Sequence, residues 1–134
     1  MAILRWRMRA VVEKALVHLV DDDPGVRGTL ARLLLSGGYR VREYASGDEL
    51  LKSRKLEDGY VLLDIDMPGA DGFAVRKALT ERSIHIPVIM MTGGGDMTVL
   101  ALKAGAAEFM QKPFGRSEIL SVLAELSAHE RLHA

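Results

Sequence analysis

Short apolar runs alternate along this chain with stretches whose apolar residues return every three or four positions. Ala15–Val20, Tyr39–Tyr44, Tyr60–Leu63, Pro87–Met91 and Glu108–Gln111 are the short runs, and they predict strands. Between them, Val26, Leu30, Leu33 and Leu34 keep helical spacing. Phe73, Val75 and Leu79 support a helix over about 72–80, and Ile119, Val122, Leu123 and Leu126 form the stripe of a last one.

The punctuation agrees with this alternation. Asp23 is a good N-cap, Pro24 suits the first helical turn, and Ser36-Gly37-Gly38 stops that helix. Ser46 and Glu49 have the spacing of a capping box and predict a short helix towards Ser53. Pro68-Gly69 and Asp71-Gly72 mark a loop, and Gly93-Gly94-Gly95-Asp96 leads into a helix through Leu102. The result is a βα unit repeated five times. Such alternation implies an α/β fold, a parallel sheet with helices on both faces. With flavodoxin-like order 2-1-3-4-5, it is a (βα)5 doubly wound five-stranded sheet. Residues 1–13 are expected to be a frayed N-terminal extension and 14–130 one domain.

Composition narrows the class. The 134 residues suit one domain, and an apolar fraction of 49% supplies a core. Lys+Arg and Asp+Glu balance at 18 each, so bulk charge gives no argument for nucleic acid or membrane as partner. With no cysteine, disulfides and thiolate metal sites are excluded. No apolar run approaches the roughly 20 residues that span a bilayer. The expectation is a soluble, cytoplasmic protein.

Polar residues gather where strands end. The first strand runs into Asp21 and Asp22, the third into Asp64, the fourth into Thr92 and the fifth into Lys112. In an open α/β sheet these ends share one edge, where ligands bind. In order 2-1-3-4-5 the first and third strands are neighbours, so Asp21, Asp22 and Asp64 converge. Two unit charges about 4 Å apart repel by roughly 4 kcal/mol at an effective dielectric of 20. Protonating one acid would offset this, and so would a cation; a hard divalent ion with oxygen ligands is the natural partner, and Mg2+ suits a site that also takes a phosphate oxygen. With Lys112 as a second positive charge, the pocket is suited to a phosphoryl group beside a carboxylate nucleophile.

At these residues the chain resembles the receiver domain of bacterial two-component response regulators. The matching runs are Val20-Asp21-Asp22, Leu62-Leu63-Asp64-Ile65-Asp66-Met67-Pro68-Gly69, Met90-Met91-Thr92-Gly93 and Gln111-Lys112-Pro113-Phe114. They follow the family's order over about 16–128, and they look most like the subgroup with a DNA-binding output domain. The resemblance implies that Asp64 is the phosphoacceptor, with a sensor histidine kinase as donor. It implies that Asp22 and Asp64 bind Mg2+ directly, Asp21 mainly through water, and Asp66 through its backbone carbonyl. Lys112 would bridge to phosphoryl oxygens, and Thr92 would turn its hydroxyl towards them. Phe109 stands at the place of the switch aromatic. A cis Lys112–Pro113 bond is also implied. Phosphorylation would alter the surface of the last two βα units for partner binding or homodimerisation. Nucleic-acid binding by this segment is not expected. The resemblance makes the chain a signalling domain that promotes only its own phosphorylation and dephosphorylation. In the family the positions two residues after Thr92 and two after the phosphoacceptor, here Gly94 and Asp66, influence water access, and Gly94 lacks a side chain, which is expected to leave the pocket open from that side.

Plainer readings apply to several residues. Asp23 is a helix cap. His18, inside the first strand, reads as a hydrogen-bonded structural histidine, and Met90 and Met91 read as core. Two other functions share some of the pattern. A haloacid-dehalogenase-type phosphatase also carries Asp-x-Asp after an apolar strand, but there the nucleophile strand comes first, whereas here Asp21 and Asp22 precede Asp64. A phosphorylation-independent docking module would not need the full acid set.

Overall fold

A computed structural model describes residues 14–53, 56, 58–67, 72–94 and 105–133. The expected N-terminal extension, the Pro68–Asp71 turn and the helix expected over 96–102 lie outside the described residues. The strands are β1 (Leu16–Val20), β2 (Arg40–Tyr44), β3 (Tyr60–Asp64), β4 (Val88–Thr92) and β5 (Glu108–Gln111). The described helices are α1 (Pro24–Ser36), α2 (Gly47–Lys52), α3 (Gly72–Glu81) and α4 (Arg116–His133). All five strands run parallel in the order β2-β1-β3-β4-β5. The order is the one expected, and β3 and β4 each extend to include the polar residue at the C-terminal end.

Parallel strands alternate their side chains between two helix-covered faces. Val17 and Leu19 of β1, Tyr60 and Leu62 of β3, and Ile89 and Met91 of β4 meet Leu30 and Leu34 of α1 and Ile119 and Leu123 of α4. On the other face, Val20, Val61, Leu63, Val88 and Met90 pack with Leu50 of α2 and Val75 and Leu79 of α3. Every residue of β1, β3 and β4 is buried, whereas the edge strands β2 and β5 are mixed. Each fully buried Leu or Val contributes about 1.5–3 kcal/mol over its exposed state. The two layers therefore hold the central strand ends rigidly, and those ends carry the polar residues.

Local caps fix where the elements begin. Asp23 Oδ1 accepts from the Gly25 and Val26 amides at 2.9 and 3.2 Å, with Pro24 in the first turn. At the far end of α1, Gly37 stays at φ −87°, and Gly38 takes φ +91° to turn the chain into β2. Ser46 Oγ accepts from the Glu49 amide at 3.2 Å, as the capping box requires. Its return arm differs from expectation, since Glu49 Oε2 accepts from the Ala45 amide at 2.8 Å. Gly59, at φ +91°, has no room for a side chain, because a Cβ there would sit 1.8 Å from the Leu16 carbonyl oxygen.

Candidate functional site

The β1–β3 register sets the geometry. Val20 lies opposite Leu63, so the next residues, Asp21 and Asp64, emerge side by side at the sheet edge. Asp64 lies opposite Met91 and Thr92 opposite Gln111, which brings Thr92 and Lys112 onto the same edge. Asp21, Asp22 and Asp64 each offer a carboxylate oxygen, and these oxygens lie within 4.8 Å of one another. Asp21 and Thr92 are fully buried and Asp64 is 4% exposed, whereas Asp22 faces solvent.

Lys112 reaches across this cluster. Its Nζ donates to Asp21 Oδ2 at 2.8 Å and to Asp64 Oδ2 at 3.3 Å. The remaining oxygens of both acids accept from backbone: Asp21 Oδ1 from the Asp23 amide at 3.0 Å, and Asp64 Oδ1 from the Asp66 amide at 2.9 Å. Arg27 Nη1 donates to the Asp21 carbonyl at 2.7 Å, and its Nε lies 3.4 Å from Glu43 Oε1. The Lys112–Pro113 peptide bond is cis.

The charges strain against burial. Burial pushes the Asp64 carboxyl above its ordinary value, and the nearby Asp21 charge adds to this, while the Asp66 amide and Lys112 only partly oppose it. Burial would lower Lys112, but its bond to Asp21 and the charges of Asp64 and Asp21 outweigh that and hold it above 10.5. One ammonium thus serves two buried carboxylates, and a third stands beside them. An all-oxygen, all-anionic donor set of this kind fits a hard divalent cation such as magnesium and gives no soft ligand to compete for it.

Thr92 is tied to the loop after β3. Its Oγ1 donates to Asp66 Oδ2 at 2.5 Å, and the Gly93 amide donates to the same oxygen at 2.9 Å. The Gly94 amide donates back to Thr92 Oγ1 at 3.2 Å. The Asp66 carboxylate is absent from the three-acid group. Its engagement with Thr92 was not foreseen from sequence, where the resemblance gave Asp66 a backbone-carbonyl ligand role and an influence on water access. The one available signal was an acid two residues beyond the strand-end Asp64. Gly72 allows α3 to begin against this loop, since a Cβ there would lie 2.9 Å from Ile65 Cα. Among the described residues, a Cβ built on Gly94 would meet nothing within 4 Å.

The other sequence-predicted residues fall as follows. Phe109 is half-buried and packs against the core on the α2–α3 face. His18 is buried and shares a 3.0 Å hydrogen bond between its Nδ1 and the Tyr44 hydroxyl, which makes it structural, as expected. Met90 and Met91 are buried in the core. A groove of about 300 Å³, lined by residues including Val26, Leu30, Leu33, Pro113 and Phe114, opens beside Lys112.

Residues 17–124 match the response regulator receiver domain family. The transcriptional regulatory protein FixJ of Azorhizobium caulinodans is 41% identical over 110 residues, which cover 80% of this chain and 52% of FixJ. Nodulation protein W of Bradyrhizobium diazoefficiens is 37% identical over 121 residues, covering 88% of this chain and 53% of that protein. Among solved structures, the crystal structure of FixJ-N superposes with a TM-score of 0.79 at 35% identity, covering 87% of this chain and 96% of the other. The chain spans about half the length of these two curated relatives. Nothing in the comparisons favours the phosphatase or docking-module alternatives.

Proposed function

The chain belongs to the response regulator receiver domain family of two-component signalling, and from that premise we propose that Asp64 is its phosphoacceptor. The observation that carries this reading is the convergence of three carboxylates within 4.8 Å, with the Lys112 ammonium bridging two of them. The family is a signalling domain and not a classical enzyme.

The donor is a phosphohistidine on a sensor kinase. A carboxylate oxygen of Asp64 attacks phosphorus, the O–P bond forms, the N–P bond breaks, and the imidazole leaves. Asp21, Asp22 and Asp64 are the residues that would hold magnesium, with the Asp66 carbonyl completing the set, and the bound ion would neutralise charge on the acids and the transferring group. Lys112 already stands 3.3 Å from Asp64 Oδ2, within reach of a phosphoryl oxygen attached there. Burial raises the energy of negative charge at Asp64, and the acyl phosphate formed there carries more of it, so Lys112 and the bound cation would have to stabilise the product. The Thr92 hydroxyl is the group that answers phosphorylation, and Phe109 is the side chain that follows it. Thr92 ends β4 and Phe109 lies in β5, and β5 with α4 belongs to the surface of the last two βα units that rearranges for a partner or a second copy of the chain.

We place residues 14–130 as the receiver unit and its action in the cytoplasm. No helix among the described residues is long and apolar enough to cross a membrane. A relative, NtrC of Klebsiella pneumoniae, is described as a DNA-binding transcriptional regulator, and this chain spans 26% of it. We assign phosphoryl acceptance, and not DNA contact, to the segment described.

The reading is tested with acetyl phosphate and magnesium, followed by intact mass. One phosphoryl adduct on the wild type and none on Asp64→Ala supports it. No adduct, or one that survives the substitution, defeats it.

A further inference from the structure

The Asp66 carboxylate belongs neither to the acid cluster nor to an ion pair among the described residues. A single oxygen of it, Oδ2, receives both the Thr92 hydroxyl at 2.5 Å and the Gly93 amide at 2.9 Å. The Thr92 hydroxyl has one proton to give. Its other acceptor within reach, the Gly94 carbonyl, is at 3.2 Å and uncharged, so the carboxylate holds that proton. Thr92 is fully buried, which prevents water from replacing the bond cheaply. The same Asp66 donates its backbone amide to Asp64 Oδ1 at 2.9 Å. Asp66 thus ties the acceptor strand through its main chain and the Thr92 loop through its side chain.

We infer that Asp66 is a latch on the switch: in the unphosphorylated protein its carboxylate holds the Thr92 hydroxyl and the Gly93 amide, and a phosphoryl group on Asp64 has to win that hydroxyl from it. This deepens the receiver reading and rests on it. Asp66 is a positioning residue that acts through Thr92. The competition has two parts. The hydroxyl cannot serve both acceptors, and the new phosphoryl charge is brought towards an existing carboxylate. Only the first part depends on Thr92, so the two are separable by mutation.

The test uses beryllofluoride with magnesium as the phosphoryl probe, titrated calorimetrically against wild type, Asp66→Ala and Asp66→Asn, each also combined with Thr92→Val. Asp66 is exposed, so neither substitution threatens the fold. In the metal-free protein, the Gly93 amide resonance should move in Asp66→Ala, because its carboxylate acceptor is gone. Beryllofluoride should bind Asp66→Ala roughly fivefold more tightly than wild type, with Asp66→Asn between them. In the Thr92→Val background the gain should shrink to less than about twofold. Equal affinities of wild type and Asp66→Ala, or an undiminished gain with Thr92→Val, would overturn the latch alone. A wild type that binds no beryllofluoride with magnesium would overturn the acceptor reading, and the latch with it.

Discussion

Lys112 places its Nζ 2.8 Å from Asp21 Oδ2, although the two residues are 91 positions apart in the chain. The contact spans the whole fold, from the end of the first strand to the turn after the last. It holds only while β1, β3, β4 and β5 keep their register. The cost of burying Asp21 and Asp64 is offset by the same ammonium.

Removing that ammonium should therefore be expensive. Lys112→Met leaves two buried carboxylates without their cation. Breaking a buried pair costs about 3–5 kcal/mol, and with Lys112 itself 21% exposed a loss of about 2–3 kcal/mol is expected. Because the Lys112 pKa is raised in the fold, its contribution is fully present below the ordinary lysine value of 10.5. It is lost as pH rises past that value through the raised one. Urea unfolding at pH 7.5 measures the loss, and a wild-type midpoint in Lys112→Met would contradict the role given to the pair.

Magnesium should stabilise the fold by mass action. A ligand at 100 times its dissociation constant adds about 2.7 kcal/mol. Addition of magnesium is expected to raise the thermal midpoint of wild type and to have little effect on Asp22→Asn. Asp22 is solvent-exposed, so its substitution should leave the metal-free midpoint near that of wild type. A magnesium shift of equal size in both proteins would remove Asp22 from the ligand set.

His18 gives the fold an acid-side weakness. Burial lowers its pKa below 6.5, and the charge of Arg42 adds to this, while the Asp58 backbone and carboxylate oppose it only in part. Among the described residues, no group makes a hydrogen bond of ordinary geometry to its buried Nε2. The unfolded chain binds the His18 proton more readily than the native one, so stability falls as pH drops below about 6.5 towards the lowered value. Urea midpoints at pH 7.5 and 5.5 should differ more for wild type than for His18→Phe. An identical pH dependence in both would contradict this assignment.

The sequence made the strand ends legible because each buried run stops at a polar residue that the core cannot hold. Asp21, Asp64, Thr92 and Lys112 could be placed on one edge from strand order alone. Boundaries were less legible. Pro87 reads as the start of an apolar run, but it has no amide to donate, and β4 begins at Val88. The Pro87 carbonyl still accepts from the Val61 amide at 3.0 Å. The Asp66–Thr92 bond was not legible at all. It joins residues 26 positions apart through side-chain directions that no periodicity records.

The central claim is that Asp64, among four acids close in sequence or space, is the one that takes phosphorus. Borohydride reduces an aspartyl phosphate to homoserine and leaves free carboxylates unchanged. Protein treated with acetyl phosphate and magnesium, reduced and digested, should carry homoserine at position 64 alone. Homoserine at 21, 22 or 66, with position 64 unmodified, would contradict the account.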